Sequence, residues 1–272
     1  MTRLSRRILF VAAAVLFAVA SYAVILYAQG YKYSFPEARF LRTGAIALKA
    51  NTDAKVFVND KLVGSTSFFT DAFSVSGLLP NQYTIRLQQD GYSSWQKKTS
   101  VQEGLLIDFP HALILPTGEE EIAPIIETVR KALALTKVPL VKPAASPTAS
   151  TSAQTVPLAQ DGPITLRASR LIWKNGDETK QLSSTALGFA LSENQNRLLW
   201  WTRNELWVLW LQPTGYQPYH AAGDIALITR FSSVMRRAAW YPDSDHITVD
   251  LGTLGYRIVE IDTRGGINII EV

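Results

Sequence analysis

Cysteine is absent from the 272-residue sequence, and histidine occurs only three times, at His111, His220 and His246. The lack of cysteine excludes disulfide bonds, a thiolate nucleophile and thiolate-bound metals. No Gly-x-Ser-x-Gly motif, glycine-rich phosphate loop or His-Glu-x-x-His motif is present; these are local signatures of hydrolases, nucleotide-binding proteins and zinc proteases. The sequence therefore predicts a protein that is not an enzyme and has no cofactor and no metal. A catalytic site assembled from distant residues is the alternative.

Acidic residues are also absent from the first 28 positions. Arg3, Arg6 and Arg7 stand there, followed by Ile8–Ala28, which holds 21 residues without charge or proline. At about 1.5 Å per residue, a helix of that length crosses the roughly 30 Å hydrocarbon layer of a bilayer. Positive residues remain on the cytoplasmic side. We therefore expect a single-pass anchor in the cell membrane, with residues 1–7 cytoplasmic and the bulk of the chain extracytoplasmic.

A cleaved signal peptide is the alternative to a retained anchor. Ala18-Val19-Ala20 fits the small-residue cleavage pattern, but eight mostly apolar residues follow it. Tyr27, Tyr31 and Tyr33 cluster at the far end, where amphipathic rings favour the membrane interface. These features favour a retained signal-anchor at residues 8–28, and both alternatives export the chain.

Excess charge of either sign is lacking once the anchor is set aside. The chain has 27 basic and 23 acidic residues. Without the three N-terminal arginines, 24 basic residues stand against 23 acidic ones, a net charge of +1. Because a nucleic-acid-binding surface requires a basic excess, no nucleic-acid partner is predicted.

The hydrophobic period changes to two after a predicted stalk at residues 29–43. Strands are predicted at Gly44–Ala50, Lys55–Val58, Leu62-Val63 and Gln82–Gln88, and a further strand is predicted to end in Leu105–Leu115. Asn59 and Asp60 tolerate positive φ, so they predict a tight hairpin turn. The expected fold class is all-β, with a small antiparallel β-sandwich of six or seven strands at residues 44–116.

Three segments in this region follow a recognisable order: Ala54–Gly64 (AKVFVNDKLVG), Leu79–Ile85 (LPNQYTI) and Asp90–Tyr92 (DGY). Residues 44–115 thereby resemble a PEGA domain, a family that pairs a V-x-V-D-G-K-x-x-G hairpin with L-P-G-x-Y-x-V and a later G-Y. The resemblance implies a surface-associated, non-catalytic β-sandwich involved in binding or spacing.

The sequence departs from the family pattern at three places. Asn51–Ala54 keeps only the alanine of the tetrapeptide that names the family, and Ser67 stands where proline is usual. Asn81 replaces a glycine, which is a mild change because asparagine tolerates the left-handed conformation better than other non-glycine residues.

The middle of the chain is predicted to contain a helix and a linker. Residues 117–137 include a candidate helix at 119–136, whose acidic start and basic end suit the helix dipole. Residues 138–163 contain five prolines and no aromatic residue, a composition typical of a flexible linker. In a suitable host this linker is also a candidate for O-linked sugar.

The C-terminal segment, residues 164–272, contains an internal repeat. The first unit is Phe189–Trp200 followed by Glu205–Leu211, and the second is Ala238–Val249 followed by Tyr256–Asp262. The offset is 49 residues at the turn and about 51 at the last strand. A period near 40 to 50 residues is typical of one blade of a β-propeller.

Within the second unit, Trp240–Ile247 resembles the W-S-P-D-G-x-x-I turn of TolB-type propeller repeats. Only about two blades fit between residues 164 and 272, whereas a closed propeller needs at least four. We therefore expect an incomplete β-propeller from a longer protein. A propeller shared with another chain and a non-propeller sheet are the alternatives.

Three groups of side chains are weighed as ligands. They are Asp243, Asp245 and His246 for a metal, Asp53, Asn59 and Asp60 for calcium, and Trp200, Trp201, Trp207 and Trp210 for sugars. Turn capping and core packing are the simpler interpretations, so no site residue is predicted.

The favoured function is a non-catalytic, membrane-anchored scaffold at the cell surface that holds a surface protein or a cell-wall polysaccharide. The alternative is an accessory or sensor subunit that relays ligand binding by the propeller through a membrane partner. Seven cytoplasmic residues leave almost nothing with which such a subunit could signal alone.

Overall fold

The computed structural model describes residues 3–67, 69–136 and 163–272. The predicted linker at 138–163 lies outside the described residues, apart from Pro163. The chain divides into two compact units. The first is Met1–Asp90 with Ser94–Ile114, and the second is Gly91–Ser93 with Leu115–Val272.

The N-terminal helix α1 is Arg3–Ala28, 26 residues long, and none of its side chains is buried. It contains the predicted span together with the arginines before it. Its length of about 39 Å and its apolar composition suffice to cross a membrane, a property that anchors share with signal sequences.

The predicted stalk contains a β-hairpin, which the sequence pattern did not indicate. Strands β1 (Tyr31–Ser34) and β2 (Arg39–Arg42) pair antiparallel. Gly30, with φ +84°, turns the chain between the helix and the hairpin, because glycine adopts the left-handed region without steric cost.

The first unit also holds two sheets, of three and four strands. The strands are β3 (Gly44–Ala50), β4 (Lys55–Val58), β5 (Lys61–Ser65), β6 (Ala72–Leu78), β7 (Asn81–Gln88), β8 (Trp95–Val101) and β9 (Leu106–Ala112). Their orders are β6-β3-β9 and β5-β4-β7-β8. The predicted strands at Gly44–Ala50 and Lys55–Val58 are confirmed. The expectation of purely antiparallel pairing is wrong, because β3 and β9 run parallel, as a long crossover connection permits.

Alternating side chains build the interior of this unit. Ile85 and Leu87 on β7 are fully buried, and each contributes about 1.5–3 kcal/mol through burial. Trp95 and Phe109 are also buried, and their ring centroids lie 5.4 Å apart in an edge-to-face contact. The predicted turn is confirmed, since Asn59 and Asp60 have φ of +49° and +62°.

The second unit contains helix α2, Glu119–Leu135, close to the predicted bounds. Three glutamates occupy its first turn, where they suit the positive end of the helix dipole. Val129 and Leu133, four residues apart, are its buried side chains.

Three antiparallel sheets follow, each with its strands in sequence order. The first comprises β10 (Ile164–Arg167), β11 (Arg170–Asn175) and β12 (Glu178–Ser183). The second comprises β13 (Gly188–Leu191), β14 (Arg197–Trp201), β15 (Glu205–Trp210) and β16 (Ile225–Arg230). The third comprises β17 (Arg237–Trp240), β18 (His246–Asp250), β19 (Tyr256–Glu260) and β20 (Ile269–Glu271).

The two four-stranded sheets share the geometry that the repeat implies. In the β13–β14 turn, the Ser192 N–H donates to the Arg197 carbonyl at 2.9 Å, and 49 residues later the Tyr241 N–H donates to the His246 carbonyl at 2.9 Å. Gln195 and Ser244 occupy equivalent positions with φ of +57° and +59°. The repeat therefore recurs in strands and turns. In the described residues it amounts to two four-stranded sheets beside one of three strands.

Candidate functional site

The acidic residues and histidine of the β17–β18 turn stabilise that turn. One oxygen of Asp243 accepts the N–H groups of Asp245 and His246, each at 2.9 Å. Its other oxygen lies 2.7 Å from Nδ1 of His246. Asp245 instead accepts a hydrogen bond from Arg197 Nη1 at 3.0 Å. Within the described ranges, no group of three or more His, Cys, Asp or Glu residues is placed to hold a metal.

The candidate calcium residues are likewise engaged within the first unit. Asn59 Oδ1 accepts the Thr84 N–H at 2.9 Å, and Asp60 pairs with Arg86 at 3.4 Å. Asp53 accepts a hydrogen bond from its neighbour Thr52 at 3.2 Å. The contacts of Asn59 and Asp60 are those of a polar hairpin turn, and Asp53 lies in the loop before β4.

The four clustered tryptophans differ in exposure. Trp200, Trp201 and Trp210 are buried, whereas Trp207 on β15 is partly exposed. Trp207 stacks nearly parallel to Trp200, with 5.8 Å between ring centroids and 7° between planes. Of these four side chains, Trp207 alone offers an exposed surface to a ligand.

Trp207 lines a cleft of about 310 Å³ in the second unit. The lining comes from β12 and the residues after it, and from β14 and β15. It comprises Gln181, Leu182, Ser183, Ser184, Thr185, Trp200, Thr202, Glu205 and Trp207. This surface, here named the Trp207 cleft, is mostly polar and bears an aromatic pair.

Glu205 fixes the Trp207 ring from the same face of β15. Trp207 Nε1 donates to Glu205 Oε2 at 3.1 Å, and Arg230 Nε, directly opposite on β16, donates to Oε1 at 2.8 Å. The hydrogen bond from Arg230, followed by that from Trp207, lowers the pKa of Glu205 below its ordinary value. The carboxylate is therefore ionised at neutral pH, and the guanidinium beside it compensates its charge.

The cleft lining combines an aromatic ring with hydroxyl and amide groups. An aromatic surface with surrounding hydroxyl and amide groups matches an uncharged, polyhydroxylated ligand, because sugars present both apolar C–H faces and hydroxyl groups. Glu205 is the single carboxyl among the lining residues. Glycoside hydrolysis ordinarily requires two carboxyl groups across the scissile bond, so these lining residues do not form such a pair.

A second polar cluster joins the two four-stranded sheets. Arg197 at the start of β14 and Asp245 before β18 form a buried ion pair, in which Tyr216 takes part by donating its hydroxyl to Asp245 Oδ1 at 2.5 Å. Arg197 also donates to the Tyr216 hydroxyl and to the Ser244 carbonyl. Burial, and then the hydrogen bond with Asp245, raises the pKa of Tyr216 to about 12. This cluster connects the two sheets, and none of its residues lines the Trp207 cleft.

Sequence reasoning weighed Trp207 only together with three other tryptophans, predicted none of them as a site, and missed Glu205 and Arg230. The sequence did contain a signal for Glu205. It stands two residues from Trp207 on the same strand, so the two side chains share a face. No protein-family model matches the chain, and a search of curated proteins finds no match. The resemblances to PEGA domains and to TolB-type repeats stay predictions.

Proposed function

We propose that the chain is a non-catalytic, membrane-anchored binding protein of the cell surface that holds a neutral polysaccharide of the envelope in the Trp207 cleft. In this proposal α1 is the anchor, with its arginines in the cytoplasm and both units outside. Residues 44–116 serve as a PEGA-like sandwich, and the three C-terminal sheets belong to a TolB-type propeller. Trp207 is the residue on which ligand binding depends.

The observation that supports a neutral sugar as the ligand is the indole ring of Trp207, which is fixed and partly exposed in a polar cleft. Trp200 supports the Trp207 ring from one side, and Glu205 holds its Nε1. A ring that is already immobilised loses little side-chain entropy on binding. Hydroxyl groups from Ser183 and Thr185 and the amide of Gln181 stand around it, where they offer hydrogen bonds to sugar hydroxyls.

The anchor is supported by the length and exposure of α1. Its 26 residues carry no acidic side chain, and none is buried. A helix that is apolar all round and uncovered by protein requires an apolar environment. Arg3, Arg6 and Arg7 precede the apolar stretch, which favours an N-terminus inside and the cleft outside.

The test is binding of the full chain, reconstituted in nanodiscs, to a panel of soluble neutral and acidic oligosaccharides, measured by calorimetry. We expect a neutral oligosaccharide to bind, and Trp207→Ala to weaken that binding at least about tenfold, a loss of roughly 1.4 kcal/mol. Gln181→Ala, at an exposed position of the cleft, should weaken it less.

Tyr219→Ala is the matched control, because Tyr219 is an aromatic side chain exposed outside the cleft lining. Its affinity should equal that of the unmodified chain. Circular dichroism establishes that Trp207→Ala is folded. Equal affinity in Trp207→Ala, or binding restricted to acidic sugars, would refute the assignment.

A further inference from the structure

The β1–β2 hairpin carries three aromatic rings on one face. Tyr33 and Phe40 are directly opposite each other in the hairpin, with ring centroids 5.3 Å apart. Phe35 at the tip contacts Tyr33 at 5.2 Å. Tyr33 and Phe40 are each 42% exposed and Phe35 is 86% exposed. We name this surface, formed by Tyr33, Phe35 and Phe40, the aromatic face.

The other side of the hairpin is covered by the first unit. Leu41 and Ser34 are buried, and Lys32 Nζ donates to the Gly77 carbonyl at 2.7 Å. Side chains of neighbouring strand positions point to opposite faces. The aromatic face therefore turns away from the protein body that the hairpin rests on.

The hairpin is tied to the end of α1. The Gly30 N–H donates to the Tyr27 carbonyl at 3.0 Å, and the Thr43 N–H donates to the Gly30 carbonyl at 2.8 Å. If Ile8–Ala28 fills the hydrocarbon layer, Tyr31 lies in the headgroup layer, which is about 5–7 Å thick. Because β1 is only about 13 Å long, the rings lie within roughly that distance of Tyr31.

We propose that the aromatic face lies in the interfacial layer of the bilayer leaflet through which α1 emerges, so that the protein contacts the membrane at two places. This rests on the proposed membrane anchoring. Tyrosine rings favour the headgroup region, phenylalanine side chains of interfacial segments enter the headgroup–acyl boundary, and exposed apolar clusters mark interaction surfaces. Arg42 pairs with Tyr31 across the hairpin, which places a cation beside the rings, where lipid phosphates are available. The second contact fixes the tilt of the first unit on the membrane.

The lack of cysteine in the chain permits a direct test with single nitroxide labels. The full chain is reconstituted in phosphatidylcholine vesicles after labelling Ala38→Cys, Phe17→Cys or Leu254→Cys in turn. Ala38 adjoins the rings and leaves all three intact, Phe17 lies within α1, and Leu254 is an exposed position of the second unit. Collisions with oxygen, which concentrates in lipid, are compared with collisions with a water-soluble nickel chelate.

We expect the oxygen-to-nickel ratio at position 38 to exceed that at position 254 several-fold, and to fall to the value at 254 when Tyr33, Phe35 and Phe40 are all replaced by serine. The rings are exposed, so these replacements leave the folded unit intact. A lipid-like ratio at position 17 with a water-like ratio at 38 overturns this inference but leaves the anchor standing. A water-like ratio at position 17 overturns both. A label at 38 shielded from both reagents would show a protein cover, such as a second copy of the chain, and would also overturn it.

Discussion

The ion pair between Arg197 and Asp245 provides the sharpest test of how the C-terminal sheets are held together. Arg197 Nη1 and Asp245 Oδ1 lie 3.0 Å apart, with side chains only 7% and 10% exposed. Replacing Asp245 by alanine leaves the guanidinium buried without its carboxylate. Because water cannot solvate that charge, the variant loses far more stability than a surface pair would provide.

The magnitude follows from the remaining partners. Removing one member of a buried ion pair costs about 3–5 kcal/mol. Arg197 keeps the Ser244 carbonyl and the Tyr216 hydroxyl as acceptors, so we expect about 3 kcal/mol for Asp245→Ala. Arg257 and Glu271 form the control pair at a similar distance, 2.9 Å, but Glu271 is 79% exposed. Glu271→Ala should cost no more than about 1 kcal/mol.

The assay is urea unfolding followed by tryptophan fluorescence, which reports on the second unit because six of the seven tryptophans lie beyond residue 170. The double variant Arg197→Met/Asp245→Leu should lose less stability than Asp245→Ala, since it leaves no unpaired charge. The reasoning is refuted if Asp245→Ala and Glu271→Ala lower the free energy of unfolding equally.

Two further predictions concern the same unit. In Gly188→Ala the new Cβ would lie 2.3 Å from Cζ2 of the fully buried Trp201, so the free energy of unfolding should fall by about 1–3 kcal/mol. Gly215→Ala is the control, because no atom lies within 4 Å of its new Cβ. Equal urea midpoints for the two variants would contradict this prediction. Burial would raise the pKa of Asp243, but His246 and backbone N–H groups outweigh it and lower the pKa below the ordinary value. Its stabilisation is therefore present above the unfolded-state pKa of about 3.9 and is lost as pH falls through the lower folded-state pKa. Unfolding titrations between pH 2 and 6 should show a shallower acid dependence for Asp243→Asn, and an unchanged profile would speak against the pairing.

Local signals predicted much of the fold because they depend on neighbours in sequence. Two-residue alternation located β3 and β4, and the Asn59-Asp60 turn followed from the tolerance of both residues for positive φ. The parallel pairing of β3 with β9 was missed because it joins strands about 60 residues apart. No local pattern encodes such a register. The β1–β2 hairpin was missed because its burial runs against its polarity: Tyr33 and Phe40 are exposed, whereas Ser34 is buried.

The candidate site was harder to predict, because the tryptophans are similar in sequence and different in surroundings. Trp207 and Trp201 both lie on central strands of the same sheet. Which ring is covered depends on the packing of neighbouring sheets against each face, and strand periodicity does not report it. The Glu205–Arg230 contact likewise depends on the pairing of β15 with β16, across a connection of 14 residues that the sequence pattern left unassigned.

The repeated turn shows how one sequence pattern supports two different side-chain contacts. Asn194 and Asp243 occupy equivalent positions, and each accepts the N–H of the residue two positions later through a side-chain oxygen. The turn therefore requires an oxygen acceptor but not a charge. In the later copy the second oxygen of Asp243 contacts Nδ1 of His246 within its own turn. In the earlier copy Arg197 occupies the position equivalent to His246. It pairs with Asp245 of the neighbouring sheet and not with the neutral Asn194 of its own turn. The first residue of the following strand therefore contacts its own turn in one copy and the neighbouring sheet in the other.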